Sequence, residues 1–160
     1  MAKDWEAALA IPQNLVAVGN AAFRRLVDDV VRRAQENASL GRPGLIPRTG
    51  KLHKSITKGP YKQWTPGSYG EQRVYSDLIY ARVHEYGATI RPKRGPYLVF
   101  RLWNFSDTDR PTGPWRRARQ VVIPPRPFLG PAAKDATAHW PEYVRDALEY
   151  IGEYIGRQLP

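Results

Sequence analysis

The chain has 160 residues and a mass of 18.2 kDa, with no cysteine and 25 Lys+Arg against 15 Asp+Glu, a formal net charge of +10. That length suits a single domain, 1–160, with a buried core. The absence of cysteine excludes a disulfide framework, a thiolate nucleophile and a Cys-ligated zinc or iron–sulfur site.

Residues 13–38 have helical periodicity. Leu15, Val18, Ala22, Leu26, Val27, Val30, Val31 and Ala34 recur at three- and four-residue steps, with Arg24, Arg25, Asp28, Asp29, Arg32 and Arg33 on the other side. Pro12 suits the first turn of that helix and Gly41 its stop. A breaker-rich loop follows to Gly50. Leu52 and Ile56 then predict the lead-in to a strand, and Gln72–Ser76 its return, a hairpin over 52–76 with a long arm. The arm at 57–70 carries Tyr61, Trp64 and Tyr69 between Gly and Pro residues.

Asp77 is the expected cap of a short helix over 78–86, closed by Gly87. Strands are expected over 88–123: Thr89–Arg91 and Tyr97–Leu102, then, after a polar loop at 103–115, Arg119–Ile123. Pro124, Pro125 and Pro127 end the last of these, because proline cannot donate to a ladder. The segment 131–159 is helical, with Tyr143, Val144, Ala147, Leu148, Ile151, Tyr154 and Ile155 as its apolar stripe and Tyr150 beside it. The expected class is α+β: an antiparallel sheet of about four strands, a long N-terminal helix, a short internal helix and a C-terminal helix.

The charge is concentrated. Residues 42–127 hold 17 Lys+Arg and 5 Asp+Glu, whereas the two ends together hold 8 and 10. Arg91, Lys93 and Arg94 form one basic cluster, and Arg116, Arg117 and Arg119 another, flanked by Trp103 and Trp115. Such clusters suit an acidic protein surface or a nucleic acid, whose bases stack on aromatic rings.

The catalytic inventory is thin. His53, His84 and His139 lack metal-ligand spacing to one another, and Ala88 stands where a zincin's second histidine follows His84-Glu85. Two Tyr-Ile-Gly copies, at 150–152 and 154–156, fall at helical spacing and read as packing. No phosphate-binding Gly-Lys-Ser/Thr loop, dinucleotide fingerprint or nucleophile elbow is present. No enzyme activity, cofactor or metal is expected. The start of the chain lacks the basic n-region of a secretory signal, and its longest uncharged run, Ala7–Phe23, is too interrupted to span a bilayer. An intracellularly made protein without a membrane partner is therefore expected.

Three segments, in order, resemble one family. Thr49-Gly50-Lys51-Leu52-His53-Lys54-Ser55-Ile56 resembles the Thr-Gly-x-Leu-x-x-Ser-Ile lead-in to the first strand of phage tail-completion and minor tail proteins. Tyr80-Ala81-Arg82-Val83-His84-Glu85-Tyr86-Gly87 is similar to their Tyr-Ala-x-x-x-Glu-aromatic-Gly turn. Ile123-Pro124-Pro125-Arg126-Pro127-Phe128-Leu129 resembles their Ile-Pro-x-Arg-Pro-Phe-Leu signature, with Pro125 in place of the commoner alanine. The family is the virion-morphogenesis group of Mu-type tail-completion proteins and their lambda-like siphophage relatives.

The resemblance implies a tail-terminator ring subunit, a homo-hexamer that caps the tail tube and joins it to the head connector, with DNA passing through its lumen. It implies a virion neck or tail location after assembly in the host cytoplasm. Gly50, Leu52, Tyr80, Glu85, Gly87, Pro124, Arg126, Pro127 and Phe128 would be structural turn residues. The two basic clusters would contact a partner. A basic nucleic-acid-binding module is the alternative.

Overall fold

A computed structural model describes residues 4–39, 45, 49–102, 104 and 110–158. Gly41, most of the 40–48 loop, Trp103, 105–109 and Leu159 lie outside the described residues, as does the side chain of Ile155. The elements run α1 (Asp4–Asn37), α2 (Lys51–Ser55), β1 (Thr57–Lys58), β2 (Val74–Tyr75), α3 (Ile79–Tyr86), β3 (Ala88–Ile90), β4 (Leu98–Arg101), β5 (Trp115–Ala118), β6 (Val121–Ile123), α4 (Leu129–Ala138) and α5 (Trp140–Gln158). The protein is a mixture of helix and strand opened by a long helix. Contacts divide it into two compact units, Met1–Arg33 with Thr57–Tyr75 and Ala132–Pro160, and Ala34–Ile56 with Ser76–Pro131.

The first unit packs α5 on α1. Val18, Ala22 and Ala147 are buried together, with Ala21, Tyr143, Val144 and Ile151 around them. The apolar stripe of α1 is therefore used, but Leu15 at its start is exposed. Pro12 lies inside α1 rather than at its start. The alanine-rich run before it has high helix propensity, which carries the helix past the hydrogen bond that proline forfeits.

The hairpin β1–β2 pairs Thr57 with Tyr75 and Lys58 with Val74, and Lys62 bridges Glu71 farther out. This arm is tied to α1. The buried Asn20 donates to Val16 O at 2.8 Å and Trp64 O at 2.9 Å, and accepts from Trp64 N at 2.8 Å and from the Tyr61 hydroxyl. Both donors and the acceptor of one amide are satisfied, the condition on which a buried polar side chain stabilises a fold. The Tyr61 ring stacks on Phe23, with Arg24 over its face, and Lys58 pairs with Asp28.

In the second unit, Thr49–Ile56 forms a helical turn, not a strand. Gly50, at φ 65°, turns the chain so that Lys54 N reaches Gly50 O, and Ser55 Oγ donates to Leu52 O at 2.7 Å. The strand starts only at Thr57. α3 has Leu78 rather than Asp77 at its N-cap and no side-chain cap bond; just before it, Ser76 Oγ accepts from Leu78 N at 3.3 Å and lies 2.7 Å from Ser55 Oγ.

A four-stranded sheet does not form. The described strands pair as three separate antiparallel ladders, β1–β2, β3–β6 and β4–β5. β3–β6 and β4–β5 follow one another along a two-stranded ribbon, with 91–97 looping out on one side against Arg119 and Gln120 on the other. Proline at 92 and 96 cannot donate to a ladder, so pairing breaks there and resumes in a shifted register. β5 starts at Trp115, the last residue of the expected loop, and runs through 116–118, where no element is expected. Its Arg-Arg sequence carries no apolar alternation, so its strand character comes from the partner, β4.

Candidate functional site

The second and third of the family-like segments meet at one junction in the second unit. Glu85, at the end of α3, accepts hydrogen bonds from the backbone N–H groups of Phe128 at 2.8 Å, Leu129 at 3.0 Å and Gly130 at 2.8 Å. One carboxylate thereby satisfies three donors at the start of α4 and places a negative charge at the positive end of its dipole. The Arg126 N–H donates to His84 O at 2.7 Å. Gly87, at φ 71°, lets the chain pass so closely that a Cβ there would sit 2.8 Å from Ile123 O and 3.0 Å from Pro125. Phe128 is 3% exposed, and Asn37 donates to its carbonyl at 3.1 Å. Gln35 donates in turn to the carbonyl of the buried Ile56.

These residues build the junction and offer little outward chemistry. The Arg126 side chain is exposed and has no hydrogen bond or ion pair among the described residues, so its backbone serves the turn. Pro124 and Pro127 are also exposed, while Leu52 is half-buried in α2. Tyr80 sets its ring edge-on to His84 at 5.9 Å. Burial first, and then the charge of Arg126, pushes the His84 pKa down, which keeps the ring neutral at neutral pH. Its Nδ1 is buried without a hydrogen-bond partner among the described residues.

A second polar cluster lies in the first unit; Asp29, Arg32 and Arg33 are neighbours on α1, but Tyr143 joins them from 114 residues away and leaves no local signal. Asp29 accepts from Tyr143 OH at 2.5 Å, from Arg33 Nε at 2.6 Å and from Arg32 Nε at 3.1 Å. Burial opposes ionisation of Asp29. The bonds from Tyr143, Arg33 and Arg32, with the Arg32 charge, outweigh it and hold the carboxyl at about 2. Burial and the bond to Asp29 push Tyr143 up to about 12. Both groups titrate far from neutrality, which suits a fixed ionic clasp rather than proton transfer. Among the described residues no group of three His, Cys, Asp or Glu is placed to hold a metal, and no helix is long and apolar enough to cross a membrane.

The remaining candidate is the ribbon. Directly opposed residues share a face in an antiparallel pair, so Val99, Arg101, Trp115 and Arg117 lie together on one side of β4–β5. All four are exposed, Trp115 by 66% and Val99 by 60%. The Arg101 guanidinium is held by Gly113 O at 2.8 Å and Thr112 O at 3.1 Å, 5.9 Å from the centre of the Trp115 ring. Arg91, Lys93 and Arg94 sit in the looped-out segment opposite Arg119, and Arg116 lies on the other face of β5. The two basic clusters, distant in sequence, thus belong to one ribbon. Among the described residues none of these six cations has an ion-pair partner.

Comparison with family models, curated proteins and solved structures finds no match to this chain. Its function must be argued from its own surface. The first unit adds an apolar cleft of about 450 Å³ walled by Leu15, Phe23, Trp64 and Trp140.

Proposed function

We propose that the chain is a structural subunit whose burial is completed by other subunits. The observation that carries this reading is the mismatch between core and surface. Among the described residues, seven of the 13 buried apolar residues are alanine and no large side chain is fully buried, while 17 large apolar or aromatic residues are exposed. Exposed apolar surface on that scale marks interfaces. The resemblance then supplies the assembly: a tail-completion or tail-terminator ring, a hexamer in the virion neck, capping the tail tube and joining the head connector around the path of DNA. The Glu85–Gly87–Phe128 junction supports the resemblance, because its motif residues form one interlocked turn.

Native mass spectrometry of the purified chain, with electron microscopy of assembled tails, tests the reading. A discrete ring bound at the tail end is expected; a protein that stays monomeric and is missing from virions overturns it. The second reading, a nucleic-acid-binding module, is favoured by the exposed Trp115 beside Arg116 and Arg117, which have no ion pair among the described residues. It requires duplex or single-strand binding that weakens steeply with salt.

A further inference from the structure

We propose that the basic ribbon β3–β6/β4–β5 of one copy docks on the outer face of α5 of a second copy, making a head-to-tail contact. This rests on the reading of the chain as an assembling subunit and names the surfaces that meet. The ribbon segment 88–127 holds nine Lys+Arg and two Asp+Glu. Helix α5 holds four acidic residues and two arginines. Glu142, Asp146, Glu149 and Glu153 follow at steps of four, three and four, so they form one exposed stripe along the helix. The stripe runs for about 16 Å at helical rise and β5 for about 10 Å at strand rise, so β5 is shorter than the stripe and can lie along part of it.

The acidic stripe is only partly neutralised within the chain. Asp146 pairs with Arg25 at 3.0 Å and Glu153 with Arg157 at 3.2 Å, whereas Glu142 and Glu149 have no ion pair among the described residues. Apolar groups accompany the charges on both surfaces. Trp115 and Val99 stand out from the ribbon, and Tyr150, 64% exposed, flanks the acidic stripe of α5. Exposed aromatic groups beside complementary charges suit a specific protein contact.

A second copy fits better than a polyanion, because the exposed Val99 and Val122 of the ribbon offer nothing to phosphate. Like charges oppose ribbon-to-ribbon pairing, and the same repulsion leaves the acidic helix as the complementary surface. Two different patches of one chain then meet, so each copy still offers a free ribbon or helix to the next. Such a contact closes into a ring when its rotation allows.

Two full-length variants test this: Arg116→Glu/Arg117→Glu on the ribbon, and Glu142→Arg/Glu149→Arg on the helix. All four positions are exposed, and unchanged circular dichroism and melting confirm the fold. Each variant alone is expected to lose self-association by at least about tenfold. Mixed in equal amounts they should assemble again, at one-to-one stoichiometry by native mass spectrometry, because each ribbon–helix pair in an alternating ring is then oppositely charged. If either variant assembles like the parent, or the mixture stays apart, the contact is misassigned while the subunit reading survives. If the parent itself never assembles, alone or on tails, both fall.

Discussion

Two paired-strand segments leave the helices of this protein, and they are treated differently. The hairpin 57–75 is tied down: Asn20 bonds to Trp64 and Tyr61, Phe23 stacks on Tyr61, and Lys58 pairs with Asp28. Among the described residues the ribbon 88–123 is braced at its base, by the neighbourhood of Gly87 and Glu85, and its β4–β5 end presents exposed arginine, tryptophan and valine. A buried amide that satisfies a loop's backbone turns the loop into scaffold. A ribbon without such an anchor keeps its faces for something else.

Removing the anchor should make the two segments alike. Asn20→Ala leaves the partly buried N–H and C=O of Trp64 without their partner and should cost about 1–3 kcal/mol. Amide exchange should then rise across 59–71 but not across 115–118. Equal protection in both variant and parent would mean that Asn20 does not hold the arm.

The base of the ribbon is the next place to press. Glu85→Gln keeps the shape, but a neutral amide oxygen replaces the charged acceptor at the start of α4. The expected cost is about 1–2 kcal/mol, with faster exchange at Phe128, Leu129 and Gly130. Unaltered exchange at those three amides would remove Glu85 from the junction.

Acid should distinguish the units. Asp29 has its carboxyl lowered from 3.8 to about 2 in the folded protein, so its stabilisation is present above about pH 4 and is lost as the pH falls towards 2. Its side chain is only 14% exposed, so a contribution on the order of 2 kcal/mol is expected. Urea unfolding at pH 5 and pH 2 should show the difference between parent and Asp29→Asn shrinking in acid. A constant difference would contradict it.

The smallest effect belongs to Arg126. Its side chain has no bond among the described residues, so Arg126→Ala should change stability by at most about 0.5 kcal/mol. Removal of its charge should let the His84 pKa rise towards its ordinary value, as followed by NMR titration.

How much of this was legible follows the range of the signal. Helical periodicity located α1 and α5, and Gly and Pro punctuation located the turns, because both act within a few residues. The ladder of β5 and the Asp29–Tyr143 clasp depend on partners far along the chain and leave no local pattern. The motif residues were visible as types. That Glu85 reaches 43 to 45 residues ahead to cap α4 becomes evident only once Arg126 N meets His84 O. The basic residues were visible as two clusters, and the register of β4 on β5 and β3 on β6 made them one ribbon.

The alanine-rich interior carries a thermodynamic consequence. Alanine exposes little hydrocarbon when a chain unfolds, so the isolated subunit should unfold with a small heat-capacity increment and a shallow dependence on denaturant. Its stability curve against temperature would be broad and low. Covering the exposed tyrosines, tryptophans and valines with neighbours would steepen both slopes, so calorimetry alone can report when the subunit has found its place.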